Sequence, residues 1–195
     1  MKASREVLAY LAAGGVVYFL AVLPHVLDFG WAWGWPGAGL GFPLSLLGTL
    51  LTLLVGTSAV AWALAAPKAP RWIFAARLAA VPVLSLGPFI LFGSFGGLAT
   101  SQGRGLVARL RQVTPVEHLQ RWAISTLRDR DATSLPDEVA ATLPRNPRID
   151  RRGDHVALVW YDTGVLVGAP TFRPERSSFF DQEVRPGIYV YVSEH

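Results

Sequence analysis

Between Leu40 and Ala66 the chain carries no charged side chain, and this run constrains everything around it. At 1.5 Å per residue, about 20 apolar residues in a helix cross the hydrocarbon core of a bilayer, so the run is long enough to span one. Along it small side chains recur in steps of four and three, at Ser45, Thr49, Thr52, Gly56, Ala59, Ala63 and Ala66, which keeps them on one helix face. Lipid tails are as apolar as leucine, so helices associate in a membrane through close backbone approach and through hydroxyls that bond across the contact. The row therefore reads as a helix-packing interface in need of a close partner helix.

Two more apolar stretches accompany it. Val7 to Leu27 is broken only by Pro24 and His25 near its far end, and a third segment runs from about Ile73 to Ala99 with Arg77 in its first turns. A signal peptide would have a shorter core and a small-residue cleavage site, which Asp28-Phe29-Gly30-Trp31 does not offer. Arg77 is placed where a long side chain can snorkel to head groups, and Pro82 and Pro88 should kink the third span. Gly93 and Gly97 near its end form a second possible packing contact, or mark where the helix frays. The segment 28–39 holds Trp31, Trp33 and Trp35 and no basic residue, the composition of a loop lying at the membrane–water boundary, and Trp72 offers a similar anchor on the other side.

Charge follows the same division. Residues 1–99 hold five basic and two acidic residues, and residues 100–195 hold 13 arginines against 12 acids. The formal net charge of +4 thus arises mainly beside the spans, where cations set orientation and meet anionic lipid, and it makes no case for nucleic acid. Lys2, Arg5, Lys68 and Arg71 lie on one side of the spans, so the N-terminus should be cytoplasmic and the C-terminal region extracytoplasmic, although Arg104, Arg109 and Arg111 oppose that order.

Past residue 100 the pattern changes. Leu106, Leu110 and Val113 fall at helical spacing among arginines, as in a helix over 104–113 lying on a membrane surface. Thr114-Pro115-Val116-Glu117 has the form of a capping box and predicts a helix over 115–130; Ser134 and Pro136 predict another over 136–143. From Pro147 the period is two, which predicts strands at 148–151, 155–161, 164–168 and 187–193, with a loop over 169–186. The fold class expected is a membrane α-helical part of three transmembrane helices (1–99), followed by a small α+β domain with an antiparallel β-meander (100–195). A fragment starting near Arg104 should fold alone.

Chemical signatures are absent from the sequence. His25, His118, His155 and His195 lack a second ligand at helical spacing, no cysteine occurs, and Gly37-Ala38-Gly39-Leu40-Gly41 has neither the spacing nor the strand context of a dinucleotide-binding loop. His25 and Asp28 near one span end could act as an intramembrane ionisable pair or be solvated at the interface. Glu117-His118 and Asp154-His155 are neighbours whose side chains should diverge, and Arg152-Gly153-Asp154 is ordinary turn composition. No catalytic, cofactor or metal residue is assigned. The partners expected are the lipid bilayer of the cell (inner) membrane and another membrane protein or a second copy of the chain. The function expected is that of a non-catalytic accessory or interaction protein; the alternative is an enzyme or small-molecule sensor using Arg173, Glu175, Arg176, Ser177, Ser178 and Asp181 of the 169–186 loop.

Overall fold

A computed structural model describes residues 2–35, 40–65, 71–94, 96–129, 134–174 and 180–193. The chain forms mainly helices followed by an antiparallel five-stranded sheet. It divides into two compact units, Met1–Val26 with Gly39–Leu98, and Leu27–Ala38 with Ala99–His195.

The first unit contains most of α1 (Lys2–Trp31), then α2 (Gly41–Leu64), α3 (Arg71–Ser85) and α4 (Gly87–Ser94). Three stretches are long and apolar enough to cross a membrane: Leu8–Trp31, Gly41–Leu64, and Arg77–Ser94 across α3 and α4. On α2 the small row faces inward. Thr52, Gly56, Ala59 and Ala63 are buried, with Ser45 and Thr49 half-buried, while Leu46, Leu50, Leu53, Leu54 and Leu64 face out. The row packs on the chain's own helices. A methyl group added at Gly48 would stand 3.3 Å from Leu20 of α1, and one at Gly56 would stand 2.8 Å from the Ser85 Cβ of α3. The hydroxyls do not bond across these contacts. Thr49 and Thr52 donate to the carbonyls of Ser45 and Gly48 one turn back, at 2.9 and 2.7 Å, because that acceptor is always within reach on a helix.

The third span is interrupted at the one residue Leu86, between α3 and α4, where Pro82 and Pro88 remove backbone donors. Leu86 and Ile90 keep helical bonds at 2.9 Å to the Pro82 and Leu86 carbonyls, as expected of a proline-kinked helix. The Tyr18 hydroxyl of α1 donates to the Val83 carbonyl at 2.7 Å, and Gly87 leaves room for its ring, so a neighbouring side chain satisfies a carbonyl beside the break. Arg77 does not extend as a free snorkelling chain. Its guanidinium lies 4.4 Å over the Trp62 ring, which stacks on Tyr10 at 4.5 Å, and cation–π attraction holds it there. Nothing lies within 4 Å of a methyl group built at Gly93 or Gly97, so this pair brings no described helix close; Gly96 and Gly97 take positive φ of 76° and 85° past the end of α4.

The second unit begins with the last turn of α1 and residues 32–38, which the sequence places with the membrane part. It continues with α5 (Leu98–Gln112, from Ala99), α6 (Val116–Arg128), α7 (Asp137–Ala140) and strands β1 (Arg148–Arg152), β2 (His155–Trp160), β3 (Thr163–Gly168), β4 (Phe180–Arg185) and β5 (Ile188–Val192). Leu106 and Leu110 of α5 are fully buried in the core with Leu119, Val139, Leu158 and Val190, so α5 is a core helix rather than one lying on a surface. Its stripe finds protein to cover it. At Gly105 a methyl group would stand 2.1 Å from the Phe29 carbonyl, and the missing side chain lets α5 meet the α1 backbone directly.

The capping box does not form. Pro115 holds the N-cap position, the Thr114 hydroxyl is buried without a hydrogen-bond partner among the described residues, and Glu117 instead meets Arg185 at 3.1 Å. With the helix starting at Val116, the cap falls on Pro115, which has no side-chain oxygen to close the reciprocal bond. Helix α7 is shorter than expected, ending at Ala140, with Pro144 following shortly after.

All strands are antiparallel, in the order β1-β2-β3-β5-β4. This is not a plain meander: β5 lies beside β3, and β4, a strand within what reads from sequence as the 169–186 loop, is an edge. Val156, Leu158 and Trp160 of β2 pair with Val167, Val165 and Thr163, and these continue to Ile188, Val190 and Val192 of β5. That face makes the core with α5 and α6. Across it, Tyr191 lies over Gly164 and Phe172 over Gly168, where any side chain would collide, and this explains glycine inside a strand. The edge strand β1, Arg-Ile-Asp-Arg-Arg, is mostly charged, which disfavours pairing with other chains.

Two outcomes follow. Gly56→Leu should destabilise the detergent-solubilised protein by about 1–3 kcal/mol through overpacking against Ser85, while Leu54→Ile, on the outward face, should change it by less than about 0.5 kcal/mol; thermal unfolding curves of the two variants compare them directly. A fragment 104–195 lacks buried Ala32 and the half-buried Trp31 and Trp33 that pack on its core, so it should keep sheet circular dichroism yet bind a hydrophobic dye. Cooperative melting without dye binding would show that this cover is dispensable.

Candidate functional site

One concave surface of the second unit is a groove of about 1020 Å³. Its walls are the 31–35 segment, Arg109 of α5, the 140–148 segment after α7, and the end of β2. The first wall is built by a helix stop. Trp35 N–H donates to the Gly30 carbonyl at 3.1 Å and Gly34 N–H to the Trp31 carbonyl at 3.0 Å, with Gly34 at φ +72°. This is a Schellman motif, which needs a left-handed residue just past the last helical turn, and glycine adopts it without steric cost. The Trp35 ring folds back over Gly30, where a methyl group would sit 2.3 Å from it.

The three tryptophans therefore occupy fixed places rather than a loose loop. Trp31 meets Trp160 edge-on at 6.0 Å, Trp33 lies under the Arg109 guanidinium at 5.9 Å, and Trp35 is half exposed. Arg109 also donates to the Ala32 carbonyl, while its Nε is buried with no partner among the described residues. Burial pulls its pKa below the ordinary arginine value, and it stays a cation at neutral pH. On the opposite side Arg145 and Arg148 are exposed and form no ion pair with a described residue. Among the described residues no acidic one lines the groove.

Among the described residues only Asn146 and Tyr161 are non-glycine residues with positive φ, at 56° and 49°, and both line this groove. Tyr161 is 90% exposed. It is the first residue of a two-residue turn, Tyr161-Asp162, joining Trp160 to its partner Thr163, so the turn begins earlier than the expected Asp162-Thr163-Gly164. That position ordinarily favours glycine or asparagine, and a bulky residue there carries a conformational cost of order 1 kcal/mol.

Other residues singled out by sequence are distributed elsewhere. His25 is buried and packs on Phe92 at 4.5 Å, and Asp28 is buried and accepts from Gln102 at 3.2 Å, so neither is solvated at an interface. His118 bonds Glu138 at 2.7 Å while Glu117 turns to Arg185, so these neighbours diverge. Asp154 and His155 do touch, at 2.8 Å, contrary to their strand alternation, because Asp154 precedes the strand in the Gly153-Asp154 turn. That hydrogen bond holds the Asp154 carboxyl below the usual aspartate range. In the 169–186 stretch Arg173 pairs with Glu183 at 3.0 Å and reaches the Tyr189 hydroxyl; Glu175, Arg176, Ser177 and Ser178 lie outside the described residues, as do His195, Lys68 and the Trp72 side chain. Among the described residues no three of His, Asp and Glu converge.

Among the described residues the groove sets aromatic and apolar side chains beside three arginines, with no acid in its lining. One sequence signal could have located its first wall: Trp-Ala-Trp-Gly-Trp ends an apolar helix with glycine, the ordinary stop signal. No family model, curated protein or solved structure matches this chain.

If Tyr161 is held in a costly conformation, Tyr161→Gly should leave the unfolding midpoint unchanged or raise it. Tyr161→Val should cost about 1–3 kcal/mol, since a β-branched residue tolerates positive φ least. Denaturant titrations of both variants check the order.

Proposed function

We propose that the chain is a multi-pass protein of the cell (inner) membrane that acts by binding, as a non-catalytic accessory or interaction protein, with the groove of its second unit as the recognition surface. The observation that carries this is the inverted packing of the first unit. Small residues face inward on α2, and large apolar residues face outward there and on α1 and α3, where Leu8, Leu11, Phe19 and Leu78 are all exposed. In water such patches would drive association; against lipid they are ordinary. Because the chain's own helices cover Gly48 and Gly56, attachment to a larger complex does not need the row on α2. Contact passes through the second unit instead.

The basic residues beside the spans support a cytoplasmic N-terminus, which three spans convert to an extracytoplasmic second unit. Single cysteines at Ala69 and Arg121 in this cysteine-free chain test it. An impermeant reagent applied to intact cells should label position 121 and spare position 69. The opposite pattern overturns the orientation, and release of the protein by alkaline carbonate overturns the membrane placement.

A further inference from the structure

The groove in the second unit has a composition that selects among ligands. Arg109, Arg145 and Arg148 line it with no carboxylate among the described lining residues, so three cations share one concavity there. A planar guanidinium matches a phosphate with paired N–H donors. Arg109 is fixed in its wall: one of its nitrogens donates to the Ala32 carbonyl, and its Nε is buried without a partner among the described residues.

Beside the arginines the lining holds five aromatic residues, among smaller apolar ones such as Leu143, Pro144 and Val159. Trp31, Trp33, Trp35 and Tyr161 all face a volume of about 1020 Å³, far more than a bare phosphate fills and at the upper end of pockets for drug-sized molecules. The ligand must therefore carry an apolar portion beside its charge. Trp31 is also the final residue of the candidate span Leu8–Trp31, which puts this wall where a crossing helix leaves the hydrocarbon and where tryptophan meets the glycerol region of lipids.

We infer that the groove holds the phosphate headgroup of an anionic phospholipid, its phosphate on the arginines and its glycerol and first acyl carbons against the tryptophans. A zwitterionic lipid brings an ammonium group that finds no acid in the lining, so the site prefers a lipid such as phosphatidylglycerol over phosphatidylcholine. This inference rests on the membrane placement proposed above.

The test uses the full-length protein, delipidated in a neutral detergent and titrated with phosphatidylglycerol or phosphatidylcholine of identical acyl chains, with bound lipid read by native mass spectrometry. Phosphatidylglycerol should bind at least about tenfold more tightly, and Arg145→Gln with Arg148→Gln should remove most of that preference, since arginines near an anionic headgroup each contribute at about this scale. Arg104→Gln with Arg128→Gln changes the charge equally at exposed positions outside the groove and should keep the preference. Equal binding of the two lipids, an undiminished preference in the groove variant, or displacement by glycerol phosphate as effective as by the lipid itself would overturn the assignment. Alkaline extraction separates the two claims: a chain that stays in membranes yet shows no preference refutes the ligand alone, whereas a released chain removes the membrane placement with it.

Discussion

Backbone contact made possible by small residues underlies both units. In the first, Gly48 and Gly56 admit Leu20 and Ser85 to the surface of α2. In the second, Gly105 admits the Phe29 carbonyl to α5. Where helices gain little from removing leucine from lipid, the gain has to come from dispersion at short range, and that rises only when the backbones close up. Each such contact works through the absence of a side chain. Large side chains at these positions would hold the helices apart and weaken many neighbouring contacts together.

The second unit reaches the same end with ordinary hydrophobic burial. Its sheet presents Val156, Leu158, Val165, Val167, Ile188 and Val190 to helices α5 and α6, and side-chain bonds clip the connections onto this core. Trp122 donates to the Ser134 carbonyl at 2.7 Å and Trp160 to the Pro144 carbonyl at 3.2 Å. Gln120 spans Gly168 and Pro186 at 2.9 and 3.1 Å, joining α6 to the end of β3 and to the turn between β4 and β5. The segment 140–148 that forms one wall of the groove is thus held from the β2 side by an indole.

What could be read in the sequence followed physical range. Three apolar stretches announce themselves by composition alone, and β2, β3 and β5 by alternation, because each signal is carried by the element's own residues. Strand β4, Phe-Asp-Gln-Glu-Val-Arg, carries no apolar alternation worth the name; as an edge strand it is held by backbone pairing to β5, which its side chains do not encode. The amphipathic stripe of α5 shows equally for a helix on lipid and for a helix on a sheet, and only the tertiary partner distinguishes them. The candidate site was the least legible part. Its tryptophans stood out, but Arg109, Arg145, Arg148 and Tyr161 come from separate elements and share no spacing. Only the fold makes them neighbours.

The inward orientation of the small row on α2 inverts the usual relation between burial and tolerance. In a water-soluble helix the buried positions accept several large apolar residues and the surface accepts nearly any polar one. Here a side chain at Gly56 would collide with Ser85 and one at Gly48 would press on Leu20, whereas in the bilayer proposed for it Leu46, Leu50, Leu53 and Leu54, all exposed, can be exchanged for almost any apolar side chain and for few polar ones. Over evolutionary time the helix should therefore drift freely on its greasy outer surface in both size and shape, while its inner line stays confined to the smallest residues in the code.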